Sequence, residues 1–466
     1  MPSQPFATVP VPSPNMPSGI PFIVGNEAAE RFSYYGMRAI LVTFMTKYLF
    51  DSQGTLAPMT DEQAKAVFHT FSWAVYFTPI FGAIIADVFF GKYRTIVSLS
   101  IVYCLGHLAL ALDETRMGLM IGLTLIAMGS GGIKPCVSAH VGDQFGKENK
   151  HLVERVFGWF YFAINFGSFF STLLTPWLLE SFPAWLRENL SPETVSRLEP
   201  VERIGAHVAF GVPGLLMLIA TWVFWLGRYR FVHIPPRGWS EVKVSLAGEG
   251  GKALLRLAPV FLCVAVFWSL YDQTASAWVL QADKMDRNWM GVNWSSAQVQ
   301  AINPILVLAF IPLFSYVIYP AIHHVFPLTP LRKVSIGFFL TFVSFLVPVW
   351  IEQQIAYGVK LSISWQVFAY VIITAAEIMV SITCLEFSYT QAPRAVKSLV
   401  MAMYLSSVSM GNAFTALINV LIQDEHGKSR LSGADYYWLF SGVMLLTAIG
   451  FIFIARSYKG QTYLQE

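Results

Sequence analysis

The sequence predicts an all-α protein that crosses a membrane about twelve times, in two halves of six helices. Three observations carry this expectation. Of 466 residues, 55% are hydrophobic and 13% are charged, whereas soluble domains carry about 25% charged residues. Apolar stretches long enough to cross ~30 Å of hydrocarbon fall at 20–49, 64–90, 93–113, 116–141, 153–181, 206–228, 254–280, 297–320, 331–352, 363–391, 393–423 and 436–456. The longest polar connection between halves, from Tyr229 to Lys252, contains Pro235, Pro236 and the glycines at 248, 250 and 251. The expected organisation is a tail (1–19), a six-helix bundle (20–228), a linker (229–253), a second six-helix bundle (254–456) and a short tail (457–466).

An even number of crossings puts both termini on one side. Connections on that side hold Lys92, Arg94, Lys147, Lys150, Arg155, Arg228, Arg230, Arg332 and Lys333. The opposite 180–205 connection is acidic, with Glu180, Glu188, Glu193, Glu199 and Glu202. The bias of basic residues toward cytoplasmic loops then places both termini in the cytoplasm. Residues 1–19 are rich in Pro and Ser, with no basic stretch leading into an apolar core, and are expected to form a disordered tail rather than a signal peptide. Cys104, Cys136, Cys263 and Cys384 lie far apart in apolar segments, form no metal-type pair, and are expected to pack as small hydrophobes. A net charge of +3 spread over loops offers no nucleic-acid surface. Six plus six helices about a cytoplasmic linker is the plan of the major facilitator fold.

The first helix holds the most informative residues. Glu27, Glu30, Arg31 and Arg38 lie inside an apolar run that continues on both sides. An ionised side chain at the centre of a membrane helix costs at least about 2.5–3.5 kcal/mol. At 100° per residue, positions 27, 31 and 38 project within about 40° of one another, with Glu30 beside them. That stripe must face other helices or a water-filled cavity. The same reasoning applies to His69 in the second helix, Lys134 in the fourth, Asp272 in the seventh, and Glu377 and Glu386 in the tenth. Fixed structural ion pairs are the plain alternative for any one of these groups. As a set, drawn from both halves, they suit pairs that close one side of the protein and open when a carboxylate is protonated.

These groups also suit a zwitterionic ligand. Arg31 and Lys134 can hold a carboxylate, and Glu377 can hold an ammonium. Asn165 and Asn303 offer amides, while Tyr34, Tyr35, Tyr76 and Trp268 offer an amphipathic lining. Aromatic residues at helical spacing are more often packing than ligand contacts. Cations in one half and an anion in the other match a short peptide with separated charged ends.

Five stretches together resemble the proton-coupled oligopeptide transporters. They are Glu27 to Gly36 (EAAERFSYYG), Gly82 to Lys92 (GAIIADVFFGK), Gly132 to Ser138 (GIKPCVS), Phe160 to Phe170 (FYFAINFGSFF), and Glu377 followed by Leu385 to Pro393 (LEFSYTQAP). The resemblance implies that Glu27 and Glu30 couple to protons, and that Arg31 and Lys134 contact the peptide carboxylate. It implies that Glu377 contacts the peptide amine, and that Tyr35, Tyr76, Asn165 and Asn303 line the site. Arg38 with Asp272 would form the outer gate, and Lys134 with Glu377 the inner one. The His69-Thr-Phe stretch, and Asp272-Gln273 preceded by Trp268, resemble the animal intestinal and renal branch. There, His69 and Asp272 would form the external proton relay.

The implied function is import of di- and tripeptides by alternating access, with protons as the coupling ion and no other cofactor. The expected partners are peptides and the lipid bilayer, with no nucleic acid and a working monomer. Three features depart from the family pattern. The 229–252 connection is too short for the two extra helices of many bacterial members, no large domain separates helices nine and ten, and Cys136 stands where Asn is usual. Compactness favours a bacterial inner membrane. A transporter of nitrate or another small metabolite is the rival within the fold. An enzyme is disfavoured, because the sequence shows no His-x-x-x-His pair, nucleophile elbow or phosphate loop.

Overall fold

An apolar segment in lipid must satisfy its backbone internally, so each predicted stretch has one workable conformation, the helix. The computed structural model describes residues 6–198, 201–236, 249–391, 397–431 and 433–458. Residues 237–248 of the predicted linker and 459–466 of the final tail lie outside these described residues, as do 392–393 of the fifth sequence stretch.

Among the described residues, eleven spans are long and apolar enough to cross a membrane: Asp61–Phe90, Lys92–Leu112, Arg116–Asp143, Lys150–Asn189, Arg203–Arg230, Gly251–Asp283, Ala297–Val325, Pro330–Ala356, Ser364–Ser388, Val400–Leu421 and Gly433–Ser457. Preceding them is the 28-residue helix Ile20–Lys47, whose charges exclude it on composition alone. Taken as the first span, it brings the number among the described residues to twelve, and the described structure is almost entirely helical.

The chain forms two units. One comprises Met1–Pro58 and Ala74–Glu241, the other Met59–Trp73 and Val242–Glu466. The second span therefore contributes its first half to the second unit and the remainder to the first.

In the first unit, the first span packs on the fifth and sixth, and the third on the fourth and sixth. Small residues set these approaches, as is usual between helices in lipid. A Cβ on Gly167 of the fifth span would lie 2.6 Å from the carbonyl oxygen of Ala28, so glycine lets the fifth span reach the charged turn of the first. Nearby, Thr175 Oγ1 donates to the Gly36 carbonyl at 2.8 Å. Gly91 ends the second span at φ 76°, which glycine adopts without steric cost. Lys92 then pairs with Asp143 at 2.6 Å, tying this turn to the end of the fourth span.

The stretch expected to be a disordered tail differs from expectation where it is described. Ala7 bridges Val232 in parallel, and His233 N–H donates to the Ala7 carbonyl at 2.7 Å. The Phe6 ring stacks on His233 at 4.3 Å and on Tyr229 at 5.5 Å. Asn149 Nδ2 donates to the Asn15 carbonyl at 3.0 Å. Low mean apolarity concealed one well-placed aromatic ring and a backbone pairing edge.

In the second unit, the seventh span packs on the eleventh and twelfth, the ninth on the tenth and twelfth, and the eighth on the tenth. Two spans are interrupted beside charged residues. A 3₁₀ turn, Asp272–Ala275, divides the seventh span into Glu249–Tyr271 and Ala277–Asp283. A π-helical turn, Ile378–Ile382, follows Glu377 in the tenth. Such irregular turns are frequent at functional positions. A two-residue hairpin pairs Asn288–Trp289 with Val292–Asn293, and Met290 and Gly291 at its tip take φ 55° and 78°.

Candidate functional site

Each unit holds its own cluster of buried polar groups. In the first unit, the stripe of the first helix closes on itself. Arg31 Nε pairs with Glu27 Oε1 at 2.6 Å and with Glu30 Oε2 at 3.1 Å. Both carboxylates are 2% exposed or less. One turn of helix brings Glu27 and Arg31 together, which is the spacing read from the sequence.

The fourth span completes the cluster. Ser130 Oγ donates to Glu30 Oε1 at 2.8 Å, and Lys134 Nζ reaches Ser130 Oγ at 3.5 Å. Lys134 Nζ also sits over the Tyr34 ring at 3.8 Å and the Tyr76 ring at 5.3 Å. Aromatic faces stabilise a cation electrostatically where water is scarce. Pro135 lacks an N–H, so the Gly131 carbonyl loses its helical donor beside this lysine. Glu27, Glu30, Arg31, Ser130 and Lys134 thus form one chain of alternating charge and hydroxyl. Such a chain can pass an ionic preference along when a carboxylate takes up a proton.

Two aromatic residues separate here. Tyr34 is fully buried and acts as a platform for Lys134, while Tyr35 is partly exposed and meets Tyr34 edge-on at 5.3 Å. Asn165 donates from Nδ2 to the Tyr161 carbonyl of its own helix at 3.0 Å. Arg38 lies two turns beyond Arg31 and is half-buried in the same unit.

In the second unit, Asn303 joins the eighth span to the tenth. Its Nδ2 donates to Glu377 Oε2 at 2.8 Å and to Thr374 Oγ1 at 3.0 Å. Tyr271 also hydrogen-bonds the Glu377 side chain. Trp268 stands edge-on to Tyr271 at 5.3 Å. Its buried indole N–H has no acceptor among the described residues. The side chains that hold this carboxylate, Asn303 and Tyr271, are neutral.

The predicted His69–Asp272 pair is brought together through a third residue. His69 Nδ1 lies 2.8 Å from Asn412 Oδ1, and Asn412 Nδ2 donates to Asp272 Oδ2 at 2.6 Å. His69 Nε2 lies 2.9 Å from Ser276 Oγ. Asp272 accepts from the amide nitrogen, which directs the amide oxygen at His69 and places a proton on Nδ1. Nε2 then accepts from Ser276 in neutral His69 and donates to it after protonation. All four side chains are 3% exposed or less. Gly411 lets the eleventh span approach the seventh, since a Cβ there would lie 2.3 Å from the Ala265 carbonyl.

Sequence reasoning missed Ser130, Thr374, Tyr271, Ser276 and Asn412. Two were accessible from spacing: Ser130 is one helical turn before Lys134, and Thr374 three residues before Glu377. Asn412 carried a signal too, as a carboxamide beside glycine inside an apolar run.

Among the described residues, eleven apolar spans and the charged helix Ile20–Lys47, in two units that each hold buried ionisable groups, define a polytopic membrane protein of the major facilitator type. The chain belongs to the POT family: the family model PTR2 matches residues 93–246 and 241–439. Peptide transporter family 1 of Drosophila melanogaster is 35% identical over 378 residues, covering 72% of this chain and 48% of that protein. Solute carrier family 15 member 2 of Homo sapiens is 36% identical over 407 residues, covering 76% and 52%. The chain spans about half the length of these curated relatives. Among solved structures, the in meso crystal structure of the POT family transporter PepTSo superposes with a TM-score of 0.82 at 36% identity, covering 95% of this chain and 99% of that one. An auto inhibited POT family peptide transporter gives a TM-score of 0.82 at 34% identity, covering 97% and 99%.

Proposed function

We propose that the protein is a proton-coupled symporter that imports di- and tripeptides by alternating access. The observation that carries this reading is the cluster in which Arg31 bridges Glu27 and Glu30 while Ser130 links Glu30 to Lys134. Family membership gives the cluster its chemical context. Protonating a carboxylate there weakens its hold on Arg31 and leaves Lys134 with altered partners. The two cations then become available to a peptide carboxylate. Glu377, held by Asn303 and Tyr271, would take the peptide amine, with Tyr35, Tyr76, Asn165 and Trp268 lining the site.

His69 and Asp272 would form the outer proton relay, joined by Asn412. Arg38 with Asp272, and Lys134 with Glu377, would serve as the pairs that open and close during the cycle. Protons are the coupling ion, no other cofactor is invoked, and the monomer is the working unit. A bacterial inner membrane with both termini in the cytoplasm fits the basic connections and the short 357–363 stretch between spans nine and ten.

The test is uptake of labelled dialanine into proteoliposomes, with and without an inward proton gradient and an inside-negative potential. Gradient-driven accumulation that unlabelled di- and tripeptides suppress, and free alanine does not, is the expected result. No peptide uptake by folded protein across an intact gradient would favour a transporter of nitrate or another small metabolite.

A further inference from the structure

The second unit also holds a cavity that has no part in the mechanism above. It is a cavity of about 590 Å³ between the eighth and tenth spans, bordered by the start of the ninth. The eighth span contributes Ile311, Ser315, Tyr319 and His323, at a four-residue spacing that keeps them on one helical face. The tenth contributes Ile378, Ile382 and Glu386, and the ninth contributes Lys333.

This face is not the Asn303–Glu377 face. Neither Asn303 nor Glu377 borders the cavity. The wall beneath the cavity is apolar: Phe314, Ile378 and Met379 pack with Ile336 and Leu340 of the ninth span.

The cavity is graded from polar to apolar. Its mouth carries His323, His324, Lys333 and Glu386, where the eighth span ends and the ninth begins. Its depth is lined by Ile311, Ile378 and Ile382. Ile311 and His323 are twelve residues apart, about 18 Å along a helix. The groove therefore runs from the headgroup zone well into the ~30 Å hydrocarbon layer.

The charges at the mouth are of both signs. Lys333 Nζ sits over the Tyr319 ring at 4.0 Å, which fixes a cation on one side. Glu386 is exposed at the cavity and makes no ion pair among the described residues. A cation beside histidines suits a phosphodiester, and basic pockets between membrane helices do bind lipid headgroups. An open carboxylate suits an ammonium that can donate N–H.

We propose that this cavity binds phosphatidylethanolamine, with the phosphate at Lys333 and His323, the primary ammonium at Glu386, and an acyl chain along Ile378, Ile382 and Ile311. A choline headgroup has no N–H for Glu386. A glycerol headgroup brings no cation at all.

The test uses full-length protein purified from membranes and exchanged into an equimolar mixture of phosphatidylethanolamine, phosphatidylcholine and phosphatidylglycerol, with retained lipid counted by native mass spectrometry. The wild type should retain phosphatidylethanolamine about tenfold over the other two. Glu386→Gln and Lys333→Ala should each erase most of that preference, while Lys333→Arg keeps it. Ser315→Trp, which fills the groove and leaves both charges, should also erase it and serves if a charge variant does not fold. Equal retention of the three lipids, or an unchanged preference in folded Glu386→Gln, overturns the assignment. Two further arms use delipidated protein. Thermal stabilisation by glycerophosphoethanolamine or inorganic phosphate equal to that by the lipid would make this a soluble-phosphate site instead. Displacement of the lipid by dialanine would make the cavity part of the peptide path, and either outcome rejects the lipid assignment.

Discussion

Asn412 decides how His69 and Asp272 communicate. Histidine and aspartate side chains were both evident as buried ionisable groups, yet the structure joins them through one carboxamide. An amide cannot carry a net proton in this arrangement, so Asn412 orients rather than relays. It fixes the His69 tautomer and leaves Nε2, facing Ser276, as the atom that gains a proton. Replacing Asn412 by Leu removes the acceptor at His69 Nδ1 and one donor to Asp272, and a buried group left unsatisfied costs about 1–3 kcal/mol. The expected outcome is a clearly lower melting temperature for purified Asn412→Leu, with a displaced pH profile of peptide uptake. Melting and pH profile both matching wild type would show that the network contributes neither stability nor coupling.

At the level of elements, two packing features carry predictions. The fifth span reaches the first across Gly167, where a Cβ would meet the Ala28 carbonyl at 2.6 Å. Gly167→Leu must push these helices apart next to Glu27 and Arg31. Overpacking of this kind costs about 1–3 kcal/mol, and both thermal stability and peptide uptake should fall. Gly142 offers a control, since nothing lies within 4 Å of a Cβ there, and Gly142→Ala should leave uptake unchanged. The second feature is the N-terminal strand held by Phe6 and His233. Burial lowers the His233 pKa below the ordinary histidine value, against a smaller opposing effect of its bond to the Arg228 carbonyl. The neutral form is thus favoured in the packed state. Stability from this contact is complete above the unfolded value of about 6.5 and is lost as pH falls below it. Limited proteolysis within residues 6–19 should accelerate between pH 7.5 and pH 5 in the wild type. In His233→Phe, which keeps a ring under Phe6, the rate should stay flat; an equal acceleration in that variant would remove His233 as the cause.

At the scale of the whole molecule, the proposed coupling depends on charges that change partners rather than on any one pair. Lys134 is the group that links the Glu30 hydroxyl contact to the aromatic faces of Tyr34 and Tyr76. Lys134→Ala should abolish proton-driven peptide accumulation in proteoliposomes while leaving downhill peptide exchange measurable. Retention of full gradient-driven uptake would remove Lys134 from the coupling machinery. The same proteoliposomes at matched protein density give both readouts, so a failure to insert would appear as loss of exchange as well.

The sequence by itself determined the fold class, because lipid leaves an apolar run of twenty residues little choice but a helix. It also determined which side chains must be special, because burying a charge in hydrocarbon is costly enough to demand a reason. Glu27, Glu30 and Arg31 were even legible as a pair-forming stripe, since helical periodicity alone sets their spacing. What tertiary structure decided is how those groups are bridged and divided. Ser130, Asn412 and Ser276 are ordinary polar residues until another helix brings a charged group within hydrogen-bond distance. Tyr34 and Tyr35 are adjacent and chemically identical, yet packing buries one beneath Lys134 and leaves the other partly exposed. The ordered contacts of Phe6, and the assignment of Met59–Trp73 to the second unit, likewise rest on contacts between residues far apart in sequence. Periodicity and composition report what a segment needs locally; which distant partner meets that need is set by packing.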